Sequence, residues 1–435
     1  MIQWELVKNE TAQLLQELIR INTTNPPGNE LAAAVLLQTV FQAEGIETQI
    51  YETAPARGSL IARLPGKSEA KSLILLGHTD VVGANPAQWS HPPFAGEIVA
   101  DFVWGRGALD MKGMLAMEAM ALILLKRNQI VPERDILFIA VADEETGGGQ
   151  GIEWLMEQDI PGLREAEYVI NEGSTGTIRE GVPVFACQTG EKGVLWIKLT
   201  IPGMAGHASI PTADNAIVKM MKVINRLQKG KQPVTFSNSS RAYIKELALQ
   251  KGLSLSAEHL ALDYSLQLFV AQHLKEERSV QAMLYNTISP TIIQSGSKVN
   301  ILPEFCELTL DCRLLPGETP GKFLDKLQKT INDPSVTYEI IQAADPTESP
   351  YDTALFAVIQ DVVREERSDA IVVPYLSPLS TDSRFFRFRN ITAYGLIPIM
   401  ISEAELQTIH GVDERISLDN IERGTRILFK IAQQI

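Results

Sequence analysis

The hydrophobic positions of this chain follow a helical period in some stretches and a strand-like pattern in others. Apolar residues recur at helical spacing in 4–20, 30–44, 112–127 and 150–158. Short apolar runs that are typical of strands occupy 46–51, 58–64, 72–76, 96–104, 135–142 and 167–171. Strands separated by helices of this length predict βαβ units and a largely parallel sheet.

The pattern changes near residue 190. Alternating apolar and polar residues predict strands at 194–201, 284–293 and 305–314, with a helix at 215–227. Such alternation is typical of an antiparallel sheet that has one covered face. Residues 230–283 read as further helices to which we assign no role, and 343–350 read as a linker. The α/β pattern then resumes, with helices at 352–365 and 418–433, a strand at 370–374 and another ending near Gly395.

These patterns predict an α/β fold, in which a mixed, largely parallel sheet is flanked by helices and a smaller α+β domain is inserted. The predicted boundaries are 1–190 and 346–435 for the main domain and 191–345 for the insert. A chain of 435 residues is also longer than one ordinary domain.

Charge and cysteine content narrow the possible partners and compartment. The net charge of −14 argues against nucleic acid and anionic membranes as partners. Only three cysteines occur and none forms a Cys-x-x-Cys pair, so neither a disulfide framework nor a thiolate metal site is indicated. The first residues carry early charges and no apolar core segment, and no run of 18 apolar residues occurs. We therefore expect a cytoplasmic protein.

Polar residues gather where the predicted strands and loops of the main domain end. They are His78 and Asp80, then Asp110 in a glycine-rich loop, then Asp143, Glu144 and Glu145, then Glu172, and finally His410 near Asp413 and Glu414. Taken alone, His78 and Asp80 also fit a solvated loop after a strand. Converging carboxylates with only Arg106 and Lys112 nearby repel one another, however, and a divalent cation relieves that repulsion. Imidazole and carboxylate ligands together suit Zn²⁺, with Co²⁺ and Mn²⁺ as alternatives.

Six motifs, in the same order, resemble those of one family of enzymes. They are Gly77–Val82, Gly107–Gly113, Asp143–Glu145, Asn171–Gly173, Gly206–Ser209 and His410–Ile416. The set resembles the co-catalytic zinc family of aminoacylase, acetylornithine deacetylase, succinyl-diaminopimelate desuccinylase, glutamate carboxypeptidase and carboxypeptidase S. The resemblance implies a zinc-peptidase-like fold for the main domain and a lid or dimerisation role for the insert.

The resemblance implies two divalent metal ions per chain, with Asp110 bridging them. One ion would also take His78 and Glu172, and the other Glu145 and His410. Asp80 would orient the imidazole of His78. Glu144 would be the general base for the attacking water, although it also fits an exposed turn residue. Successive residues at an extended strand end point to opposite sides, which would separate Glu144 from its neighbour Glu145.

The remaining implied residues lie later in the chain. His207 would stabilise the tetrahedral oxyanion in the other subunit of a homodimer, although without the resemblance it reads as a turn histidine. Asn300 and Arg313 would bind a substrate carboxylate, but Arg313 could instead pair with Asp311 or Glu307 on its own strand. Gly395 would contribute a backbone contact in the pocket.

The function predicted is metal-dependent hydrolysis of an amide bond next to a free carboxylate, in a small peptide or an N-acyl amino acid. A carboxypeptidase, a dipeptidase and an N-acyl-amino-acid deacylase all fit this description. Two alternatives are an aminopeptidase with a related di-zinc site and a non-catalytic binding protein of the same fold.

Overall fold

A computed structural model describes residues 2–230, 232–250 and 263–435. Its α-helices there are α1 (Trp4–Arg20), α2 (Glu30–Ala43), α3 (Lys112–Arg127), α4 (Ile152–Leu155), α5 (Ala216–Lys229), α6 (Asn238–Gln250), α7 (Asp263–His273), α8 (Arg278–Ala282), α9 (Pro320–Ile331), α10 (Ala354–Glu366), α11 (Ser383–Arg387), α12 (Glu403–Leu406) and α13 (Leu418–Gln434). Short 3₁₀ turns occupy Pro86–Gln88 and Glu144–Thr146.

The first strands of the chain are β1 (Glu47–Ala54), β2 (Arg57–Leu64), β3 (Leu73–His78), β4 (Glu97–Val99), β5 (Phe102–Trp104), β6 (Ile136–Val141), β7 (Tyr168–Asn171), β8 (Gly176–Arg179), β9 (Val182–Glu191) and β10 (Gly193–Pro202). The later strands are β11 (Gly206–His207), β12 (Thr287–Ser295), β13 (Ile301–Leu302), β14 (Phe305–Leu314), β15 (Thr337–Ala344), β16 (Thr347–Glu348), β17 (Ile371–Ser377), β18 (Thr392–Gly395) and β19 (Arg415–Ser417).

The chain divides into two compact units. The first comprises 1–189, 349–374 and 381–435, and the second comprises 190–348 and 375–380. The assignment of 375–380 to the second unit was not predicted, because the Ser-Pro turn signal at 377–378 indicates the end of a strand and not a change of unit.

The first unit is built on a mixed sheet with the strand order β1-β2-β6-β3-β7-β18-β9. Strands β6, β3, β7 and β18 run parallel to one another, and the strands outside them are antiparallel. Helices cover the sheet, with α3 packed against α1 and α13, and α2 against β2. The predicted fold class is therefore confirmed.

The burial of β3 explains why its first four residues, Leu73 to Leu76, are all apolar. Leu73 and Leu75 enter one buried cluster and Ile74 and Leu76 enter another, because successive strand residues point to opposite faces of the sheet. Both faces of this strand are therefore removed from water. The carboxyl ends of neighbouring parallel strands meet at one edge of the sheet, and that edge receives the residues that follow β3, β6 and β7.

The second unit contains an antiparallel sheet with the order β12-β14-β10-β15. Its covered face buries Cys306 and Cys312 together with residues of α5 and α9. The linker interpretation of 343–350 is wrong, since β15 extends to Ala344 and β16 pairs with β9. Strand β15 is an edge strand whose side chains are mostly exposed, so it lacks the alternation that identifies strands.

Part of the region 230–283 lies outside the described residues, namely 231 and 251–262. The described part contains α6, α7 and α8. None of the described helices combines the length and the apolar character that a membrane span needs.

Glu118 is an unusual feature of α3. Its side chain is fully buried, and neither carboxylate oxygen has a hydrogen-bond partner among the described residues. Burial raises the pKa of Glu118 well above its usual range, because a desolvated carboxylate is unfavourable. The folded protein therefore holds a proton on Glu118 under conditions in which the unfolded chain has released it.

We predict that Glu118→Gln stabilises the protein increasingly as the pH rises. Above the unfolded pKa of about 4.3, only the unfolded chain loses this proton, so the parent loses about 1.4 kcal/mol per pH unit until its folded pKa is passed. The glutamine variant lacks this loss. Its advantage in the free energy of unfolding should grow between about pH 5 and about pH 7 in denaturant titrations. The exposed Glu69→Gln is the matched control, and an equal effect of Glu118→Gln at both pH values would contradict the prediction.

Candidate metal centre

The site begins at His78, the last residue of β3, whose side chain is only 1% exposed. Its Nδ1 atom lies 2.9 Å from the carbonyl oxygen of Asp80 and 3.5 Å from the carboxylate of Asp80. Its Nε2 atom lies 3.1 Å from Asp110 Oδ1 and 3.6 Å from Glu172 Oε1. With Nδ1 bonded to a carbonyl, Nδ1 carries a proton, and Nε2 is the ring nitrogen that faces these two carboxylates.

Two groups of side chains could each hold a metal ion among the described residues. One is His78, Asp110 and Glu172, and the other is Asp110, Glu145 and His410. Within each group, the potential ligand atoms all lie within 4.8 Å of one another. Asp110 faces His78 with Oδ1 and faces His410 Nε2, at 3.0 Å, with Oδ2. One carboxylate therefore belongs to both groups.

Each of these side chains follows a different element of the first unit. Asp110 lies in the loop between β5 and α3, Glu145 in the 3₁₀ turn after β6, and Glu172 directly after β7. His410 has a φ of +56°, a left-handed conformation in the loop between α12 and β19. The parallel strands thus supply three neighbouring positions, and loops supply the other two.

Asp80 does more than the sequence suggested. Its carboxylate accepts hydrogen bonds from the backbone N–H groups of Glu144, at 3.2 Å, and Glu145, at 3.1 Å. It also accepts one from Asn25 Nδ2 at 2.9 Å. The nearest partner of the His78 imidazole is the carbonyl of Asp80. The carboxylate that we expected to orient His78 therefore also anchors the next loop, while its role toward His78 stays a prediction.

The expectation that strand alternation separates Glu144 from Glu145 is wrong. These residues do not continue an extended strand but form a 3₁₀ turn, which follows Asp143 in a left-handed conformation with a φ of +72°. Both of their N–H groups point at the Asp80 carboxylate. The turn, rather than strand alternation, sets the directions of the two side chains.

Sequence reasoning missed the polar network behind this turn. Asp143 Oδ1 accepts hydrogen bonds from Arg57 Nη2 at 2.8 Å, Asn25 Nδ2 at 3.2 Å and Thr146 Oγ1 at 2.5 Å. Arg57 Nε in turn lies 2.8 Å from the buried Glu30 carboxylate. Asn25 therefore connects Asp80 with Asp143. In the sequence it stands before two prolines and a glycine, so it reads only as part of a turn.

Gly395 packs against the backbone of the segment that carries Glu172. A Cβ atom at Gly395 would lie 2.3 Å from the Glu172 carbonyl oxygen and 2.9 Å from the Cα of Gly173. Two backbones approach too closely here for any side chain. The close contact of Gly395 is thus with Glu172, whereas a contact with substrate remains a prediction.

The electrostatics of the site follow from the surplus of carboxylates. Burial, together with repulsion from Asp110 and Glu145, raises the pKa of Glu172 to about 7. Desolvation and the nearby Glu172 raise the pKa of Glu144 well above its usual range. Hydrogen bonds to Asp110 and Glu145 raise the pKa of His410 to about 10. Each shift means that the site attracts positive charge.

Asp110 responds in the opposite direction. Although burial works against its ionisation, hydrogen bonds from His410 and His78 hold the pKa of Asp110 well below its usual range. Glu145 Oε1 is buried and lies 3.3 Å from His410 Nε2. A buried carboxylate oxygen that shares its surroundings with Asp110 and faces an imidazole nitrogen suits a cation. These residues therefore fit a divalent metal.

Three predicted site residues lie in the second unit. His207, in β11, is exposed, and its Nδ1 lies 2.7 Å from Ser209 Oγ. The carbonyl of Asn300 accepts a hydrogen bond from Ala208 N at 3.0 Å, so His207 and Asn300 lie in adjacent segments. Arg313 donates to both oxygens of Asp311, at 2.7 and 3.1 Å. This ion pair is the alternative that the sequence left open for Arg313.

The family model described as "Peptidase family M20/M25/M40" matches residues 74–434. The N-fatty-acyl-amino acid synthase/hydrolase PM20D1 of Xenopus tropicalis is 28% identical to this chain, over 99% of the chain and 87% of that protein. Among solved structures, the M20 metallo-carboxypeptidase Sso-CP2 of Sulfolobus solfataricus superposes with a TM-score of 0.74 and 19% identity. That match covers 100% of this chain and 99% of the other.

A second solved structure is described in terms of its metal content. The YXEP protein of Bacillus subtilis, a dinuclear metal-binding peptidase of the M20 family, superposes with a TM-score of 0.64 and 12% identity over 98% of each chain. At these identities the two structures establish the fold alone.

Proposed function

The chain belongs to the peptidase family M20/M25/M40, and on that premise we propose that it is a metal-dependent hydrolase of amide bonds next to a free carboxylate. The observation that carries the proposal is the position of Asp110, which presents one oxygen to each of two ligand groups. A carboxylate shared in this way is what a pair of metal ions requires.

His78, Asp110 and Glu172 would hold one ion, and Asp110, Glu145 and His410 the other. The mixture of nitrogen and oxygen ligands favours Zn²⁺, with Co²⁺ or Mn²⁺ as alternatives. When bound, such a pair of ions lowers the pKa of water and polarises the scissile carbonyl.

Glu144 is the group that we assign to proton transfer. It adjoins Glu145 in sequence without belonging to either ligand group, so its carboxylate remains available. A carboxylate in this position, beside Glu145 and near Glu172, suits a group that takes a proton from water at one step and returns it to the leaving amine at the next. Asp80 acts as a positioning residue, because it holds the backbone of the turn that carries Glu144.

The substrate class follows from the relatives and from the family. The Xenopus protein is named for N-fatty-acyl amino acids, and a relative in Dictyostelium discoideum, 28% identical over 85% of this chain and 72% of that protein, is named a probable carboxypeptidase S-like protein. Both descriptions involve an amide bond whose amine side carries a free carboxylate. We propose the same class for this chain, as small peptides or N-acyl amino acids. Asn300 and Arg313 are proposed to bind that carboxylate, which would require Arg313 to exchange its pairing with Asp311.

The proposal also includes assembly and compartment. His207 is exposed in the second unit, and we assign it to oxyanion stabilisation in the partner subunit of a homodimer. A cytoplasmic location accords with Cys187, Cys306 and Cys312, all of which are free thiols.

The first prediction from this proposal concerns substrate and metal together. Protein stripped with a chelator should be inactive, and adding Zn²⁺, Co²⁺ or Mn²⁺ should restore hydrolysis of N-acyl amino acids and dipeptides, with about two ions bound per chain. Amino-acid amides that lack the carboxylate should be poor substrates. A preference for those amides would favour an aminopeptidase, and full activity without metal would contradict the proposal.

The second prediction concerns Glu144. Glu144→Gln keeps the shape of the side chain but cannot accept the proton, so kcat should fall by about 10² or more. Bound metal, measured by elemental analysis, should stay at the parental level. The exposed Glu153→Gln, also after β6, is the matched control. Near-parental kcat in Glu144→Gln would remove Glu144 from this role.

The third prediction concerns His207. His207→Ala should lower kcat by about 10² or more without loss of metal, because an oxyanion donor is removed. Mixing Glu144→Gln chains with His207→Ala chains should then recover activity, since each mixed dimer contains one site with both residues intact. Absence of recovery in verified mixed dimers would show that His207 does not serve the partner subunit.

A further inference from the structure

Glu414 is a fully buried carboxylate that binds the loop carrying Asp110. Its Oε1 accepts hydrogen bonds from the backbone N–H groups of Leu109, at 2.8 Å, and Asp110, at 3.0 Å. Its Oε2 accepts one from the N–H of Gly107 at 3.2 Å. Three backbone N–H groups of this loop thus donate to a single side chain, and that side chain belongs to neither ligand group.

Arg106 extends the same connection to the other end of the site. Its Nη1 donates to Glu414 Oε2 at 2.6 Å, and its Nη2 donates to the carbonyl of Gly411 at 2.7 Å. Gly411 directly follows His410. The guanidinium, whose side chain is 2% exposed, also lies over the ring of Trp89 at 5.3 Å. A planar fork with two directed donors suits this double contact better than an ammonium does.

Together these contacts join the two loops that supply Asp110 and His410. The strands on either side pair as well, since β19 is antiparallel to β5. In contrast, His78 ends β3 and Glu172 directly follows β7. Those two residues are supported by the sheet, whereas His410 sits in a loop and has a half-exposed side chain.

We propose that the Glu414–Arg106 pair is the positioning device that fixes His410 relative to the shared carboxylate of Asp110. This inference rests on the proposed function, because it concerns the second ligand group, Asp110, Glu145 and His410. A carboxylate is needed at 414 because all the groups that face it are donors. Glutamine would turn an NH₂ group toward some of them and leave those contacts unmade.

The consequence is a selective effect on one of the two ions. Disrupting Glu414 should release the loop of His410, while His78 and Glu172 keep their places at the ends of the strands. A purely structural ion pair would instead lower the unfolding temperature without distinguishing the two ions. The separate affinities for the two ions are therefore the informative measurement.

The experiment compares Glu414→Gln with the parent and with Asp413→Asn. Asp413 is the neighbouring acidic residue of the same loop, and its carboxylate accepts hydrogen bonds from the N–H and Oγ of Ser90. Zn²⁺ is titrated into metal-free full-length protein in competition with a chromophoric chelator, and the thermal unfolding of each metal-free protein is recorded.

We expect Glu414→Gln to bind the first ion within about threefold of the parent and the second about 10- to 100-fold more weakly. Asp413→Asn should bind both as the parent does. Arg106→Lys retains the positive charge but not the planar fork, so it should weaken the binding of the second ion in the same way. This variant provides the test if Glu414→Gln does not fold.

Suppose that the parent binds two ions. If a folded Glu414→Gln or Arg106→Lys variant then binds both ions with the parent's affinities, this inference alone is overturned. Equal weakening of the two ions would also overturn it, because the pair would then act on the whole unit. A parent that fails to bind two ions would overturn the proposed function and this inference with it.

Discussion

Repulsion among carboxylates is the constraint on which the arrangement of the first unit depends. Asp110, Glu145 and Glu172 share a small volume with Glu144, and two imidazoles are their close cationic partners within the ligand groups. Folding brings these groups together despite the cost, because the strands and loops that carry them are held by contacts made elsewhere. Leu73 and Ile74 bury both faces of β3, and Asp80 holds the turn beyond β6. The stability of the scaffold thus maintains a site that is unfavourable without a cation.

The supporting contacts form a second layer of buried polar groups. Asn25 joins Asp80 to Asp143, Arg57 joins Asp143 to Glu30, and Glu414 joins Arg106 to the loop of Asp110. Each of these side chains is buried and bonded to a loop that carries a candidate ligand or base. Burial nevertheless raises the pKa of Glu414 above its usual range, so its partners offset only part of the desolvation cost. These directed contacts leave the loop few alternative conformations.

Much of this organisation could be predicted from the sequence. Helix α1 and helix α3 were predicted with their observed bounds, since apolar spacing and turn residues delimit them clearly. The resemblance to the co-catalytic zinc family is confirmed by the family match, and it rested on motifs whose residues lie next to one another in sequence. The positions of His78 and Glu172 followed from strand ends, which a local pattern reveals.

What could not be predicted depends on contacts between residues far apart in the chain. Nothing near Asn25 indicates that it meets Asp80 and Asp143, and nothing near Glu414 indicates three backbone donors from another loop. The pairing of Arg313 with Asp311 was one of two readings, because a strand pattern places both on one face without deciding whether they bond. Edge strand β15 was missed for a different reason, since its exposed side chains carry no alternation.

The wide separation of the ligands along the chain has a consequence for biosynthesis. Strands β3, β6 and β7 are complete once residue 171 has been made, whereas His410 and Glu414 follow much later in the chain. A nascent chain can therefore form much of the sheet while it still lacks one histidine of the second ligand group. If the enzyme acts as proposed, its hydrolytic activity begins only after His410 and Glu414 have been made. Nascent chains that stop before His410 would then be inert toward the peptides around them.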